Sequence, residues 1–126
     1  GPSKRRSRSE VTKVLTPRWK ALGILPNAYA LLKSRSCAQQ GIFGLWAIRK
    51  VSEDVKVVSA KMLSNFLYHA FELKLNARTL ENALKEESKK SEKLVIHISG
   101  TRFQITPDGM AAAEKIANVK ALSAKK

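Results

Sequence analysis

The chain is short of several things, and each shortage narrows what it can be. It has one cysteine, Cys37, in 126 residues. An internal disulfide framework is excluded, and a reducing compartment suits it. No apolar run approaches the roughly 18 residues of a membrane-spanning helix, and no apolar stretch follows the basic N-terminus as a signal peptide requires. An intracellular protein is expected, in cytoplasm or nucleus. The two histidines, His69 and His97, are far apart, and neither they nor Cys37 show a zinc-ligand spacing. Gly41-Ile42-Phe43-Gly44 lacks a phosphate-loop lysine at the required place. One cysteine with scattered histidines does not make a thiol nucleophile, and capping accounts for Asp54 and Asp108. No catalytic residue, metal or cofactor is expected, and the chain does not read as an enzyme.

Acidic residues are the remaining scarcity. Asp plus Glu total 10 against 24 Lys plus Arg, a formal net charge of +14. Such an excess points to a polyanionic partner and is silent on fold. Apolar residues make up 44% of the chain, enough for a core, and the length suits one domain. The charge is uneven. Residues 1–20 hold seven basic side chains against one acidic, 21–58 five against two, 59–92 six against five, and 93–126 six against two. The middle is nearly neutral and the ends are basic.

Gly1-Pro2-Ser3 reads as the scar of a cleaved tag and is left out of fold reasoning. With the run Lys4-Arg5-Arg6-Ser7-Arg8 it makes a disordered arm over residues 1–8, able to lie along phosphates or in a minor groove, or to act as a nuclear-import signal. Residues 9–41 read as a helical extension. Val11, Val14 and Leu15 fit one helical face. Thr16-Pro17 is a cap-plus-proline start, Trp19, Ala21 and Leu22 form an apolar turn, and Gly23 ends it. Pro26-Asn27 opens a second short helix with Tyr29, Leu31 and Leu32. Arg35 to Gln40 reads as a turn.

From Gly41 to Val51 the chain is apolar on nearly every side, the pattern of a helix buried in the centre of a domain. Val55-Lys56-Val57-Val58 is β-branched and reads as a short strand. Ser59 caps a helix whose Leu63, Phe66, Leu67, Ala70 and Phe71 fall at i, i+3, i+4, i+7 and i+8. Asn76 caps another, Ala77 to about Glu87, with Leu80 and Leu84 inward and Arg78, Glu81, Asn82 and Lys85 outward. Glu86 to Lys93 has no apolar residue and reads as a loop or frayed helix end. Two alternating runs about Ser99-Gly100 predict a β-hairpin, with Leu94, Ile96 and Ile98 facing Phe103 and Ile105. Thr106-Pro107 starts a last helix with Met110, Ala113, Ile116 and Ala117 buried, and Lys120 to Lys126 is a basic tail.

The expected class is mainly α with a small antiparallel hairpin. Helix, short strand, helix, turn, helix and hairpin, over residues 42–119, is the element order of a winged helix-turn-helix domain, here with extra N-terminal helices. Leu73-Lys74-Leu75-Asn76-Ala77-Arg78-Thr79-Leu80 resembles the turn and recognition-helix start of that superfamily. Gly100 to Gly109 resembles the second wing strand and Thr-Pro-x-Gly helix start of bacterial and archaeal winged-helix regulators of the multiple-antibiotic-resistance and phenolic-acid-repressor types. The resemblance implies duplex DNA as partner, with helix 77–87 in the major groove and the wing tip, 98–102, on a neighbouring backbone or minor groove. On that reading Arg78, Thr79, Asn82 and Lys85 face the DNA, Arg78 reading guanine and Asn82 adenine. Lys56, Lys61 and Arg102 contact phosphate, which positions without specifying. Such a chain would be a transcriptional regulator or part of a larger DNA-associated protein.

One feature departs from that pattern. Over 77–87, Arg78 and Lys85 are outnumbered by Glu81, Glu86 and Glu87. An acidic outer face also fits a protein-interaction or dimerisation module, with the flanking helices joining two copies and the basic ends as tethers. RNA is a third possible partner.

Overall fold

The computed structural model describes residues 11–23 and 28–117. Lys4, Arg5, Arg6 and Arg8, the Pro26-Asn27 helix start and the tail 120–126 lie outside the described residues. The protein is mainly helical with a small three-stranded antiparallel sheet. A π-helical turn, Val11–Leu15, runs into α1 (Thr16–Leu22), followed by α2 (Ala28–Leu32), α3 (Cys37–Val51), β1 (Val58–Ser59), α4 (Ala60–Phe71), α5 (Ala77–Ser88), β2 (Val95–Ser99), β3 (Arg102–Ile105) and α6 (Pro107–Ala117). No helix among the described residues is long and apolar enough to cross a membrane.

The centre is α3. Every residue from Gln40 to Ile48 is buried, as the all-round apolar pattern predicts. The helix starts four residues before Gly41, because Ser36 and Gln39 form a reciprocal cap. Ser36 Oγ accepts from Gln39 N–H at 3.2 Å, and Gln39 Oε1 accepts from Ser36 N–H at 3.4 Å. The expected turn over Arg35–Gln40 is thus corrected, and the domain border placed at residue 41 falls inside this helix. Gln40 is buried and keeps its amide bonded to the Leu32 carbonyl at 2.7 Å.

Two glycines of α3 are seats for its neighbours. A Cβ on Gly44 would stand 2.7 and 2.8 Å from methyls of Leu63 and Leu67 on α4. A Cβ on Gly41 would stand 2.8 Å from Leu80 on α5. Both helices can therefore come close enough to bury Leu63, Leu67, Leu80 and Leu84 completely, each contributing about 1.5–3 kcal/mol. The turn between α4 and α5 is fixed by Glu72, which adopts φ 61°, and by the Leu73 N–H bonded back to the Leu67 carbonyl at 3.1 Å. Ser64 Oγ donates to the Leu75 carbonyl at 2.7 Å.

The N-terminal segment belongs to the same core. Trp19 meets Phe43, Trp46 and Phe71 edge-on, with ring centroids 6.2, 5.8 and 5.3 Å away. Such pairs add about 0.5–1.5 kcal/mol each beyond area burial. Leu15 and Leu32 are also fully buried. Thr16 does not cap α1 as expected, because the preceding turn is already helical and carries Thr16 into the interior, where its side chain is buried.

The sheet order is β1-β3-β2. β1 holds only Val58 and Ser59, so the strand expected over Val55–Val58 is shorter and later; Val55 to Val57 form no ladder. The hairpin is present and Phe103 and Ile105 are buried as predicted, but the face of β2 is the reverse of that predicted. Val95 pairs with Ile105 and His97 with Phe103, so Val95, Phe103 and Ile105 are buried while Ile96 and Ile98 stand 41% and 46% exposed. A period of two makes the choice binary, and the pairing with β3 decides it. Thr106 caps α6 as predicted, its Oγ1 accepting from Gly109 N–H at 2.9 Å.

Candidate nucleic-acid interface

The sequence-predicted contacts fall into two groups. The first lies where β1, the start of α4 and the β2–β3 hairpin meet. Ser59 pairs with Arg102 across β1 and β3. Ala60 N–H donates to the Thr101 carbonyl at 2.8 Å, which laces the first turn of α4 to the hairpin turn Gly100-Thr101. Ser59 Oγ accepts from Met62 N–H at 3.1 Å and so fixes that helix start. Lys61, in the first turn of α4, and Arg102, the first residue of β3, are exposed, and neither has an ion-pair partner among the described residues. Two unpaired cations thus stand beside a helix N-terminus, whose dipole also favours an anion. Lys56 is exposed in the segment entering β1.

The second group is the outer face of α5. Asn76 Oδ1 accepts from Arg78 N–H at 2.8 Å and Thr79 N–H at 3.3 Å, so the cap sets where this face begins. Arg78, Thr79 and Asn82 are exposed together on it. Lys85 is half-buried and bound to Glu81 at 2.7 Å. Farther along, Lys89 pairs with Glu86 at 3.6 Å and Lys90 with Glu87 at 2.7 Å. Arg78 is the cation of this helix without a carboxylate partner among the described residues.

A residue not assigned a role from sequence stands on the hairpin. His97 stacks on Phe103 with centroids 5.1 Å apart, and its Nε2 donates to the Gly100 carbonyl at 2.7 Å. The hydrogen bond from Lys85 holds the Glu81 carboxyl below the usual carboxylate range, assisted by the charges of Lys85, Arg78 and His97. α5 also packs against β2, the strand that carries His97. The signal in the sequence is the alternation Val95-x-His97 opposite Phe103, legible only once the hairpin faces are known.

His69 is half-buried on α4 beside the Tyr68 ring. Cys37 is half-buried in the first turn of α3, and burial pushes its thiol up, away from the thiolate. Among the described residues no three His, Cys, Asp or Glu side chains gather as a metal site. Compared with family models, curated proteins and solved structures, the chain matches none.

Proposed function

We propose that the chain is a winged-helix DNA-binding domain, a regulator or part of a larger DNA-associated protein, that holds duplex DNA mainly through its phosphates. The observation that carries this reading is the corner at which Lys61 and Arg102, both exposed and unpaired among the described residues, flank the capped start of α4. The order α3-β1-α4-α5-β2-β3 with strands arranged β1-β3-β2 supports it. On this reading α5 enters the major groove with Arg78, Thr79 and Asn82 toward base edges, and the wing turn lies on an adjacent backbone. The test is duplex affinity over a salt series. Log K falls linearly with log salt at a slope of about −0.9 per phosphate neutralised. A salt-insensitive complex, or no duplex binding at low salt, overturns the proposal, as does preference for structured RNA in competition.

A second reading is a protein-interaction or dimerisation module. The three ion pairs that neutralise α5 favour it, together with Leu22 and Tyr29, which stay exposed on the N-terminal helices. If the double variant Arg78→Glu, Lys85→Glu binds duplex DNA as the parent does, α5 is not the reader and this second reading gains.

A further inference from the structure

Away from the interface, α3 with the segment before it, α6 and the residue leading into β2 line a half-open cleft of about 280 Å³. Its floor is aliphatic: Ile42, Leu94, Ala112 and Ile116. Its mouth carries Arg35, Lys115 and Gln39. Arg35 and Lys115 are exposed, and among the described residues neither is in an ion pair and no carboxylate lines the cleft. Gln39 turns its Oε1 to the Ser36 N–H, which leaves its NH2 group as a donor. The volume lies at the small end of ligand sites, and an apolar floor with a few convergent polar groups is their usual make-up.

We propose that this cleft binds a small organic anion, a carboxylate on an aliphatic body of about ten heavy atoms, with the chain on the Ile42–Ile116 floor and the head between Arg35 and Lys115. Charge complementarity selects this occupant. The segments outside the described residues carry seven basic side chains against one acidic, Glu10, so they supply little negative charge to match Arg35 and Lys115. No aromatic side chain lines the floor, so nothing there favours a flat ring over an alkyl chain.

Octanoate and its neutral isostere octanamide are the probes, titrated into the full chain and followed by amide chemical shifts. Octanoate is expected to shift the amides around Arg35–Ile42, Leu94 and Ala112–Ile116, with octanamide at least about fivefold weaker. Arg35→Gln with Lys115→Gln should weaken octanoate by about tenfold and leave octanamide unchanged. Both positions are exposed, so this variant keeps its fold. Ala112→Phe, its fold checked by the dispersion of the same spectrum, should abolish both. The proposal is overturned if octanoate gives no shifts up to about 10 mM, if octanamide binds equally well, or if the charge-neutral double variant retains octanoate affinity.

Discussion

The start of α4 and the outer face of α5 both present cations, and they differ in what surrounds them. Lys61 and Arg102 stand at a corner built from a helix N-terminus and a hairpin turn, with no carboxylate bound to either among the described residues. On α5 and just past its end, Lys85, Lys89 and Lys90 are each held by a glutamate of that helix, and Arg78 is the one cation there without a carboxylate partner among the described residues. A free cation releases counterions when it meets phosphate, whereas a paired one must first give up its partner. Equal numbers of basic residues therefore do not make equal surfaces, and on the proposed function the corner dominates duplex affinity.

The largest expected effect breaks or sharpens this contrast directly. Lys61→Glu with Arg102→Glu should lower duplex affinity by about 100-fold at ~0.1 M salt and flatten the salt slope by about 2. Arg78→Ala with Lys85→Ala should cost only about fivefold, and equal losses from the two pairs would erase the difference claimed. Next comes the seat that places both surfaces. Gly44→Ala forces a methyl against Leu63 and Leu67 and should destabilise the fold by about 1–3 kcal/mol in urea titration. Unchanged stability would mean that the Leu63 and Leu67 methyls can give way at no cost. Between the two surfaces lies Glu72, a non-glycine residue at φ 61°. Glu72→Gly should stabilise the protein by about 1 kcal/mol, read as a raised urea midpoint.

The smallest effect concerns Glu81. Glu81→Gln releases Lys85 and should raise duplex affinity about twofold at low salt. The pH dependence has a fixed sign. The Glu81 carboxyl titrates below its ordinary value in the folded state because Lys85 is hydrogen-bonded to it. Its contribution to stability is present above the unfolded-state value and lost as pH falls through the lower, folded value. Carbon-detected titration of the Glu81 carboxyl by NMR checks this, and a midpoint above the usual carboxylate range contradicts the ion pair.

Local chemistry made part of this legible in advance. Ser59, Asn76 and Thr106 each combine a capping side chain with a following apolar period, and each starts a helix where the pattern says. Leu63, Phe66, Leu67 and Phe71 are buried as their spacing requires. Errors arose where two readings were nearly equal in local terms. Ser36-x-x-Gln39 is a capping box hidden in a polar stretch. The β-branched run Val55–Val58 has propensity for a strand, but only its last residue finds a partner on β3. The hairpin faces hinge on a one-residue choice made by tertiary pairing. For the candidate interface, the exposed cations could be named from sequence. Their pairing state could not, because it depends on which carboxylates the helix turn brings within reach. The juxtaposition of Ser59 with Arg102 depends on a strand two residues long.

The edge-on cluster around Trp19 has an experimental consequence. The chain has two tryptophans, and both belong to it. Trp46 is carried by the central helix and Trp19 by the first, so their indoles report on the docking of the N-terminal segment as well as on the core. Intrinsic emission is thus a label already in place. A loss of α1 from the body would redden one indole before the rest of the protein melts, and a single coincident transition would show that the two are one cooperative unit.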